Sequence, residues 1–207
     1  MAIKTRHKRF CGEEMPIMKS IILNSGLKKL FSEKQRKLGR YSVSDIWAMT
    51  NGYLPIDKFF IPEPFSVGSA ANMFLGSEKH LIAQKLLKEI YPKALIEDKK
   101  EIAIDDFVIV GKADFIDGDK IWEIKTSIEK LYFAKSWHTY QLKWYLWLFD
   151  KKYGSIVQPV IEVNGKRIMA LKLNILNSIT RDDDFINREL KKLKKYHEEL
   201  KILKVAK

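Results

Sequence analysis

Two acidic residues and a lysine lie close together in the middle of the chain: Asp114, Glu123 and Lys125. Glu123 and Lys125 are two positions apart in the alternating segment 120–126, so a strand there would point both side chains to one face. Burying two carboxylates and an ammonium group on an apolar sheet costs free energy unless their charge is compensated. A bound Mg²⁺ would compensate it, because this cation prefers oxygen ligands and keeps waters that a neighbouring lysine can orient.

The segments around these residues predict a β-hairpin. Residues 107–116 form an apolar run with strand character, and residues 120–126 alternate apolar and charged side chains. The Asp-Gly-Asp sequence at 117–119 is typical of the turn between them. We therefore expect the hairpin to bring Asp114 close to Glu123. A Glu-x-Lys pair alone is common on exposed strand edges, so the residues that follow decide its weight.

The next segment, 129–150, contains no glycine or proline and is rich in aromatic and aliphatic residues. It predicts a long, largely buried helix. Gln141 and Tyr145 would share one face of that helix, because they are one turn apart. A glutamine within so apolar a face needs hydrogen-bond partners, which a catalytic cleft would provide.

Three segments together resemble a known family. They are Gly111–Ile116, Trp122–Ser127 and Gln141–Tyr145, with the sequences GKADFI, WEIKTS and QLKWY. Their order and spacing are similar to the aspartate, Glu-x-Lys and Gln-x-x-x-Tyr motifs of PD-(D/E)XK nucleases of the RecB-like branch, close to the CRISPR-associated RecB-like exonucleases. The resemblance implies an α/β fold with a restriction-endonuclease-like core, in which a central mixed β-sheet is flanked by helices.

The same branch carries a metal-binding histidine on an upstream helix, a few residues after a glycine. His80 follows Gly76 in this chain, and the stretch from Gly76 to His80 opens an amphipathic segment that predicts a helix to about Tyr91. A histidine on a helix is usually a surface residue or a satisfied core residue. The presence of the other three motifs favours a metal ligand here.

The resemblance implies a role for each candidate residue. The metal ligands would be His80, Asp114, Glu123 and the main-chain carbonyl of Ile124, and the metal would be Mg²⁺ or Mn²⁺. The catalytic residues would be Asp114, Glu123, Lys125, Gln141 and Tyr145. Lys125 would position the nucleophilic water, while the glutamine and the tyrosine would contact the DNA or brace the site.

Many of the CRISPR-associated relatives bind an iron–sulfur cluster through four cysteines. This chain has a single cysteine, Cys11, so one chain cannot supply four thiolates. We therefore expect no iron–sulfur cluster. Near the position where the first cluster cysteine would be expected, residues 41–49 predict a helix with Ser44 as its N-cap.

The charge of the chain favours a polyanionic partner. It contains 38 Lys and Arg against 26 Asp and Glu, a formal net charge of +12, and DNA is the obvious candidate. The longest apolar stretch, Tyr140–Phe149, contains Lys143 and falls short of the roughly 20 apolar residues of a membrane-spanning helix. We therefore expect a soluble cytoplasmic protein, in the host cytoplasm if the source is viral, without a membrane partner.

The pattern along the chain predicts three regions within one compact domain. They are a mobile basic arm at 1–20, an N-terminal helical elaboration at 21–70, and a nuclease core with a C-terminal helix at 71–207. Strands of the core are expected near Ile102, Val108 and Trp122, and at 156–163 and 167–173, with a hairpin at Asn164-Gly165. The C-terminal helix is expected from Arg181 to Lys207.

The resemblance implies a metal-dependent deoxyribonuclease, preferring single strands or free ends and acting 5′ to 3′ as an exonuclease. Trp137 and Tyr140 could stack on unpaired bases, although a core position is the stronger expectation for each ring. A structure-specific or single-strand endonuclease would use the same residues, and a non-catalytic DNA-binding or scaffold subunit could keep the fold. Homo-oligomers and partners in replication, recombination, repair or CRISPR adaptation stay open.

Overall fold

The computed structural model describes residues 36–62, 67–126, 131–164 and 167–205. The strands within these ranges are β1 Arg40–Ser42, β2 Leu95–Ile104, β3 Phe107–Asp117, β4 Lys120–Ile124, β5 Tyr153–Asn164 and β6 Arg167–Thr180. The helices are α1 Val43–Thr50, α2 Val67–Ile90, α3 Ser136–Leu148 and α4 Asp183–Val205, with a 3-10 turn at Ile56–Lys58. The expected basic arm at 1–20 and Cys11 lie outside the described residues.

The strands form one mixed sheet. β2, β3 and β4 are antiparallel neighbours in sequence, β4 and β5 run parallel, and β5 pairs antiparallel with β6. β1 pairs in parallel with the beginning of β3, and β4 pairs with the end of the same edge of β3. Helix α3 connects the parallel strands β4 and β5, as such a crossover requires. The mixed sheet expected from the sequence is therefore confirmed.

Both predicted hairpins are present. β3 and β4 pair from Phe115↔Trp122 to Asp117↔Lys120, and Gly118 in their turn has φ 52°, a conformation that favours glycine. In the second hairpin Asn164 pairs with Arg167, so two residues separate β5 from β6. β6 continues to Thr180, beyond the predicted end near residue 173.

Helix α3 is shorter than the helix predicted at 129–150. It begins at Ser136 and ends at Leu148. Lys135 before it is extended, with φ −70° and ψ 154°. The side chain of His138 accepts the Lys135 N–H through Nδ1 at 3.2 Å, which satisfies one of the donors at the helix start. This cap is a histidine inside the helix, so the usual Ser or Asp signal before the first turn is missing.

The starts of α1 and α2 also differ from expectation. α2 begins at Val67, so Gly76 lies inside the helix rather than at its start. A Cβ on Gly76 would lie 3.0 Å from Thr126 Oγ1, so the glycine permits close approach to the end of β4. The N-cap of α1 is Ser42 rather than Ser44, because Ser42 Oγ and the Asp45 carboxylate each accept the other residue's N–H in a capping box.

Two hydrophobic clusters pack on the sheet. The larger joins α1, α3 and α4 to the sheet and includes Tyr41, Leu142 and Leu193. The smaller lies between α2 and the sheet and includes Leu87 and Trp122. The helices thus cover both faces, an arrangement typical of α/β folds. None of α1–α4 combines the length and apolar composition needed to cross a lipid bilayer.

Candidate active site

A chain of hydrogen bonds joins the end of β4 to helix α3. Lys125 Nζ donates to Glu123 Oε1 at 2.6 Å and to Gln141 Oε1 at 2.7 Å. Gln141 Nε2 in turn donates to the hydroxyl of Tyr145 at 2.7 Å. Four of the residues selected from the sequence therefore form one connected group. The strand alternation predicted for Glu123 and Lys125 and the helical spacing predicted for Gln141 and Tyr145 both produce contacts in the folded chain.

Asp114 connects β3 to the same end of β4. Its Oδ2 accepts the main-chain N–H of Ile124 at 2.8 Å, and its Oδ1 lies 3.1 Å from His80 Nε2. Its main-chain carbonyl accepts a hydrogen bond from Gln84 Nε2 at 3.3 Å. Helix α2 therefore contributes a histidine and a glutamine that hold the aspartate from both its side chain and its backbone.

A break in the alternation of β3 directs Asp114 to this position. Ala113 packs in the larger cluster and Phe115 in the smaller one, although residues two apart on a strand normally share a face. Glu97 on β2 and Asp114 on β3 do not pair, although the residues on either side of them do. Glu97 has φ 53°, and the left-handed region costs a side-chain-bearing residue about 1–2 kcal/mol. The packing around the site therefore sustains a local distortion.

Two glycines allow α3 to lie close on the sheet. A Cβ on Gly111 would lie 2.5 Å from Leu148 Cδ1 and 3.2 Å from the ring of Tyr145. A Cβ on Gly154 would lie 2.8 Å from Leu142. Contacts this short mean that a side chain at either position would displace the leucine or the helix. The glycines thus set how deeply Tyr145 reaches toward β3.

Glu123 is a buried carboxylate that the protein compensates incompletely. It is 1% exposed, and burial together with the charge of Asp114 raises its pKa to about 7 even though Lys125 opposes the shift. Its Oε2 is buried and has no hydrogen-bond partner among the described residues. Buried polar atoms are normally paired, so this oxygen suits a ligand that the chain itself does not supply.

The negative charges of Asp114 and Glu123 also affect the pKa values of neighbouring side chains. For His80, burial alone would lower the pKa, but the hydrogen bond and charge of Asp114 and the charge of Glu123 outweigh it, so the pKa is raised. Burial, followed by the charge of Glu123, raises the pKa of the Tyr145 hydroxyl. The group thus has an excess of negative potential, which favours a cation.

A second cluster of potential ligands lies elsewhere. Among the described residues, Asp106, His197 and Glu198 bring ligand atoms within 4.8 Å of one another. Lys201 Nζ already lies 2.6 Å from Asp106 Oδ2 and 3.1 Å from Glu198 Oε1. Asp106 and Glu198 are both exposed, whereas Glu123 is buried with one carboxylate oxygen that has no partner among the described residues. The cluster is therefore a weaker candidate for a metal than the group around Glu123.

The structure adds two residues, Gln84 and Trp137, to the group selected from the sequence motifs. Gln84 is one turn after His80 on α2, a spacing that shows they share a face but not that the face meets Asp114. The ring centroid of Trp137 lies 4.8 Å from Lys125 Nζ. The residue is 38% exposed, so the prediction that it lies in the core is wrong. Tyr140 is 8% exposed and donates to Glu189 Oε2 at 2.7 Å, so its expected core position is confirmed.

No family model and no curated protein matches this sequence. Solved structures are similar to it in fold. The alkaline exonuclease LHK-Exo from Laribacter hongkongensis aligns with a TM-score of 0.57 and 15% identity over 80% of this chain and 89% of that chain. LHK-Exo in complex with dAMP aligns with a TM-score of 0.54 and 18% identity over 82% and 93%. The protein SSO0001 aligns with a TM-score of 0.50 and 23% identity over 85% and 84%.

At these identities the likeness concerns the fold. The order of strands and helices, the mixed sheet and the helices on both faces agree with it. The chain therefore has an α/β fold with a restriction-endonuclease-like core, as the sequence motifs implied.

Proposed function

We propose that this protein is a metal-dependent deoxyribonuclease that hydrolyses phosphodiester bonds. One observation carries the proposal. Glu123 and Lys125 are hydrogen-bonded at the end of β4 beside Asp114, while the second carboxylate oxygen of Glu123 is buried with no partner in the described part of the chain. Two carboxylates and a lysine in this relation can hold a divalent cation and act on a water beside a phosphate.

The residues present fit a divalent metal ion. His80, the carboxylates of Asp114 and Glu123, and the main-chain carbonyl of Ile124 would hold Mg²⁺ or Mn²⁺; carboxylate and carbonyl oxygens suit both, and imidazole suits Mn²⁺ better. The raised pKa of Glu123 supports this assignment, because a neighbouring cation would offset its burial. When bound, the ion would polarise the scissile phosphate and lower the pKa of a bound water.

Lys125 is suited to orient the attacking water. An ammonium group has three N–H donors, and Glu123 and Gln141 account for two of them. The third can point at the water or at a phosphate oxygen, where charge builds up in the transition state. Glu123 and Gln141 hold the ammonium group in place, so its reorganisation during the reaction would be small.

Gln141 and Tyr145 brace this lysine. Tyr145 is buried, and its hydroxyl accepts the hydrogen bond of Gln141 Nε2. That bond orients the amide so that its oxygen faces Lys125. Of the two roles expected from the sequence, bracing therefore has the stronger support, and a direct contact of Tyr145 with DNA has the weaker.

We further propose that the protein is an exonuclease that prefers single-stranded DNA and digests it from 5′ to 3′. The net charge of +12 supports a polyanionic substrate. One structural neighbour is named an alkaline exonuclease and has been solved with dAMP, a deoxynucleotide. The polarity follows only from the resemblance of the motifs.

The test is cleavage of end-labelled linear single-stranded and double-stranded DNA and of circular single-stranded DNA, with Mg²⁺, with Mn²⁺ and with EDTA. We expect cutting of linear substrates only with metal, and its loss in Glu123→Gln and Lys125→Ala. A matched control is the exposed ion pair Lys195–Glu199 on α4, substituted to Ala and Gln, which should retain activity. Cutting of the circle would identify an endonuclease, and DNA binding without cutting by the wild type would overturn the proposal.

A further inference from the structure

Three aromatic side chains extend from the active-site lysine across the surface; we call them the aromatic platform. Trp137 on α3 lies against Lys125, with 4.8 Å between Nζ and the ring centroid. Trp47 on α1 lies 6.5 Å from Trp137, with the rings inclined by 50°. Tyr53 stacks on Trp47 at 4.5 Å and 14°. The rings come from two helices and a turn, and they form one continuous series.

The structure holds the outer ring of the platform in place. Tyr53 follows Gly52, whose φ of 77° permits a tight turn. The main-chain N–H groups on both sides of the tyrosine are bonded, from Gly52 to the Met49 carbonyl at 3.2 Å and from Leu54 to the Ala48 carbonyl at 2.9 Å. Tyr53 is nevertheless 68% exposed. The main chain on both sides of Tyr53 is therefore fixed while its ring stands in solvent, stacked on Trp47.

A purely structural role explains only part of the platform. Trp47 is partly buried and packs on the larger cluster, so it stabilises the fold. The exposed surfaces of Tyr53 and Trp137 contribute little to the core, because large rings stabilise a domain by being removed from water. Exposed apolar surface beside a site of chemistry is typical of a ligand-binding surface.

We propose that the aromatic platform binds unpaired bases of the DNA strand whose phosphate reaches Lys125. The inference rests on the proposed function, because it places that phosphate at the catalytic lysine. Aromatic rings stack on the faces of bases with little regard to sequence. Bases in a duplex have their faces covered by neighbouring pairs, so the platform selects a single strand or a frayed end over an intact duplex.

The aromatic platform begins at Lys125, and this position indicates what binds it. A base stacked on Trp137 would belong to a nucleotide next to the phosphate at the lysine, and a base further along the strand would stack on the face of Tyr53 that Trp47 leaves open. The net charge of +12 attracts a polyanion and not a neutral apolar partner. The platform therefore gives the proposed nuclease its substrate class without base-specific contacts.

The experiment measures binding without cleavage. Labelled oligo-dT and a blunt duplex of equal length are titrated with the full chain in Ca²⁺ and in EDTA, using wild type, Tyr53→Ala, Trp137→Ala and Trp137→Phe. We expect each alanine variant to bind the single strand about ten-fold more weakly and the duplex with little change. Trp137→Phe should recover most of the affinity, because it keeps a ring. The salt dependence should be unchanged, since the phosphate contacts remain.

Two controls separate stacking from general effects. Tyr153 is 54% exposed and pairs with Lys120 at the opposite end of β4 and β5 from Lys125, so Tyr153→Ala should bind like wild type. On an oligomer of abasic residues, Tyr53→Ala and wild type should bind equally. Unchanged thermal midpoints for Tyr53→Ala would show that the fold is intact.

The outcomes distinguish this inference from the proposed function. Wild-type single-strand affinity in both alanine variants would overturn the platform, even if the wild type cleaves DNA. An equal loss of single-strand and duplex affinity would also overturn it. A selective loss of single-strand affinity in a protein that cuts no DNA with any metal would support the platform as a DNA-binding surface and overturn the nuclease proposal.

Discussion

The chain contains two histidine–aspartate pairs with the same separation and different surroundings. His80 Nε2 lies 3.1 Å from Asp114 Oδ1, and His197 Nε2 lies 3.1 Å from Asp106 Oδ1. Asp106 is exposed and also contacts Lys201. The hydrogen bonds of Lys201 and His197 hold the pKa of Asp106 down at about 2. At this pair the protein supplies its own positive charge.

The pair at the end of β4 lacks such balance. Asp114 is largely buried, and the neighbouring Glu123 is more so. Burial and the charge of Asp114 raise the pKa of Glu123 to about 7, a shift opposite to that of Asp106. The comparison teaches that the separation of a pair does not identify a functional site. A buried carboxylate whose charge is only partly balanced, as that of Glu123 is by Lys125, is the better guide, because it leaves a role for a bound cation.

The largest expected effect separates the two aspartates by activity. Asp114→Asn should reduce the DNA cleavage rate by about 10³-fold, because it would remove a charged ligand of the proposed metal ion. Asp106→Asn should retain activity within about two-fold, since it lies in a structural pair. Initial rates on labelled single-stranded DNA with Mn²⁺ check both. Equal losses in the two variants would end the distinction between the pairs.

Metal binding should stabilise one pair and not the other. At a concentration 100 times Kd, Mn²⁺ should add about 2.7 kcal/mol to the free energy of unfolding, which raises the thermal midpoint by about 5–10 °C for a chain of this size. The increase should persist in Asp106→Asn and disappear in Asp114→Asn. Thermal melts with and without Mn²⁺ measure it. If Mn²⁺ still raised the thermal midpoint of Asp114→Asn, the metal would bind elsewhere.

The two acids should respond to pH in opposite directions. The folded chain holds the proton of Glu123 more tightly than the unfolded chain, because burial raises its pKa to about 7. Its contribution to stability is therefore present below the ordinary glutamate pKa and is lost as pH rises toward 7. The lowered pKa of Asp106, about 2, gives the reverse. Its contribution is present above the ordinary aspartate pKa and is lost as pH falls toward 2.

Urea unfolding without metal checks both signs. Between pH 5 and 8, Glu123→Gln should lose less stability than wild type as pH rises, because glutamine does not titrate. Between pH 4 and 2, Asp106→Asn should lose less stability than wild type as pH falls. Saturating Mn²⁺ should flatten the first dependence and leave the second unchanged. A parallel pH response of wild type and Glu123→Gln would contradict the assignment.

Local patterns predict much of the candidate site. Strand alternation predicts that Glu123 and Lys125 share a face, the turn sequence predicts the hairpin, and helical spacing joins Gln141 to Tyr145. Each of these inferences uses residues within one element or across one turn, where geometry follows from sequence spacing. The family resemblance implied that Gln141 belongs to the site, but it did not predict the contact between Lys125 and Gln141.

The remaining features depend on packing between distant elements. The redirection of Asp114 accompanies a left-handed Glu97 on the neighbouring strand, and no propensity predicts φ above zero for a glutamate. The contact of Gln84 with the Asp114 carbonyl requires knowing where α2 crosses the sheet. Trp137 sits at the start of α3, and its exposure depends on where that helix begins. These are tertiary outcomes, which override local pattern.

The smallest expected effect distinguishes two buried tyrosines. The hydroxyl of Tyr145 accepts the Gln141 amide that orients Lys125, whereas the hydroxyl of Tyr41 lies 2.6 Å from His197 Nδ1 in the structural pair. Tyr145→Phe should lower kcat about ten-fold with little change in KM, because the lysine loses its brace while substrate contacts remain. Tyr41→Phe should leave kcat unchanged and lower the free energy of unfolding by about 1 kcal/mol.

The measurement is kcat and the free energy of unfolding, each in Tyr145→Phe and in Tyr41→Phe. A hydroxyl in a structural network and one in a catalytic network are removed by the same chemical change, so differences in side-chain volume cannot explain the result. If Tyr145→Phe loses stability and keeps kcat, then Gln141 holds its orientation without the tyrosine. Glu123 and Gln141 would then suffice to position Lys125, and the hydroxyl of Tyr145 would have a structural role like that of Tyr41.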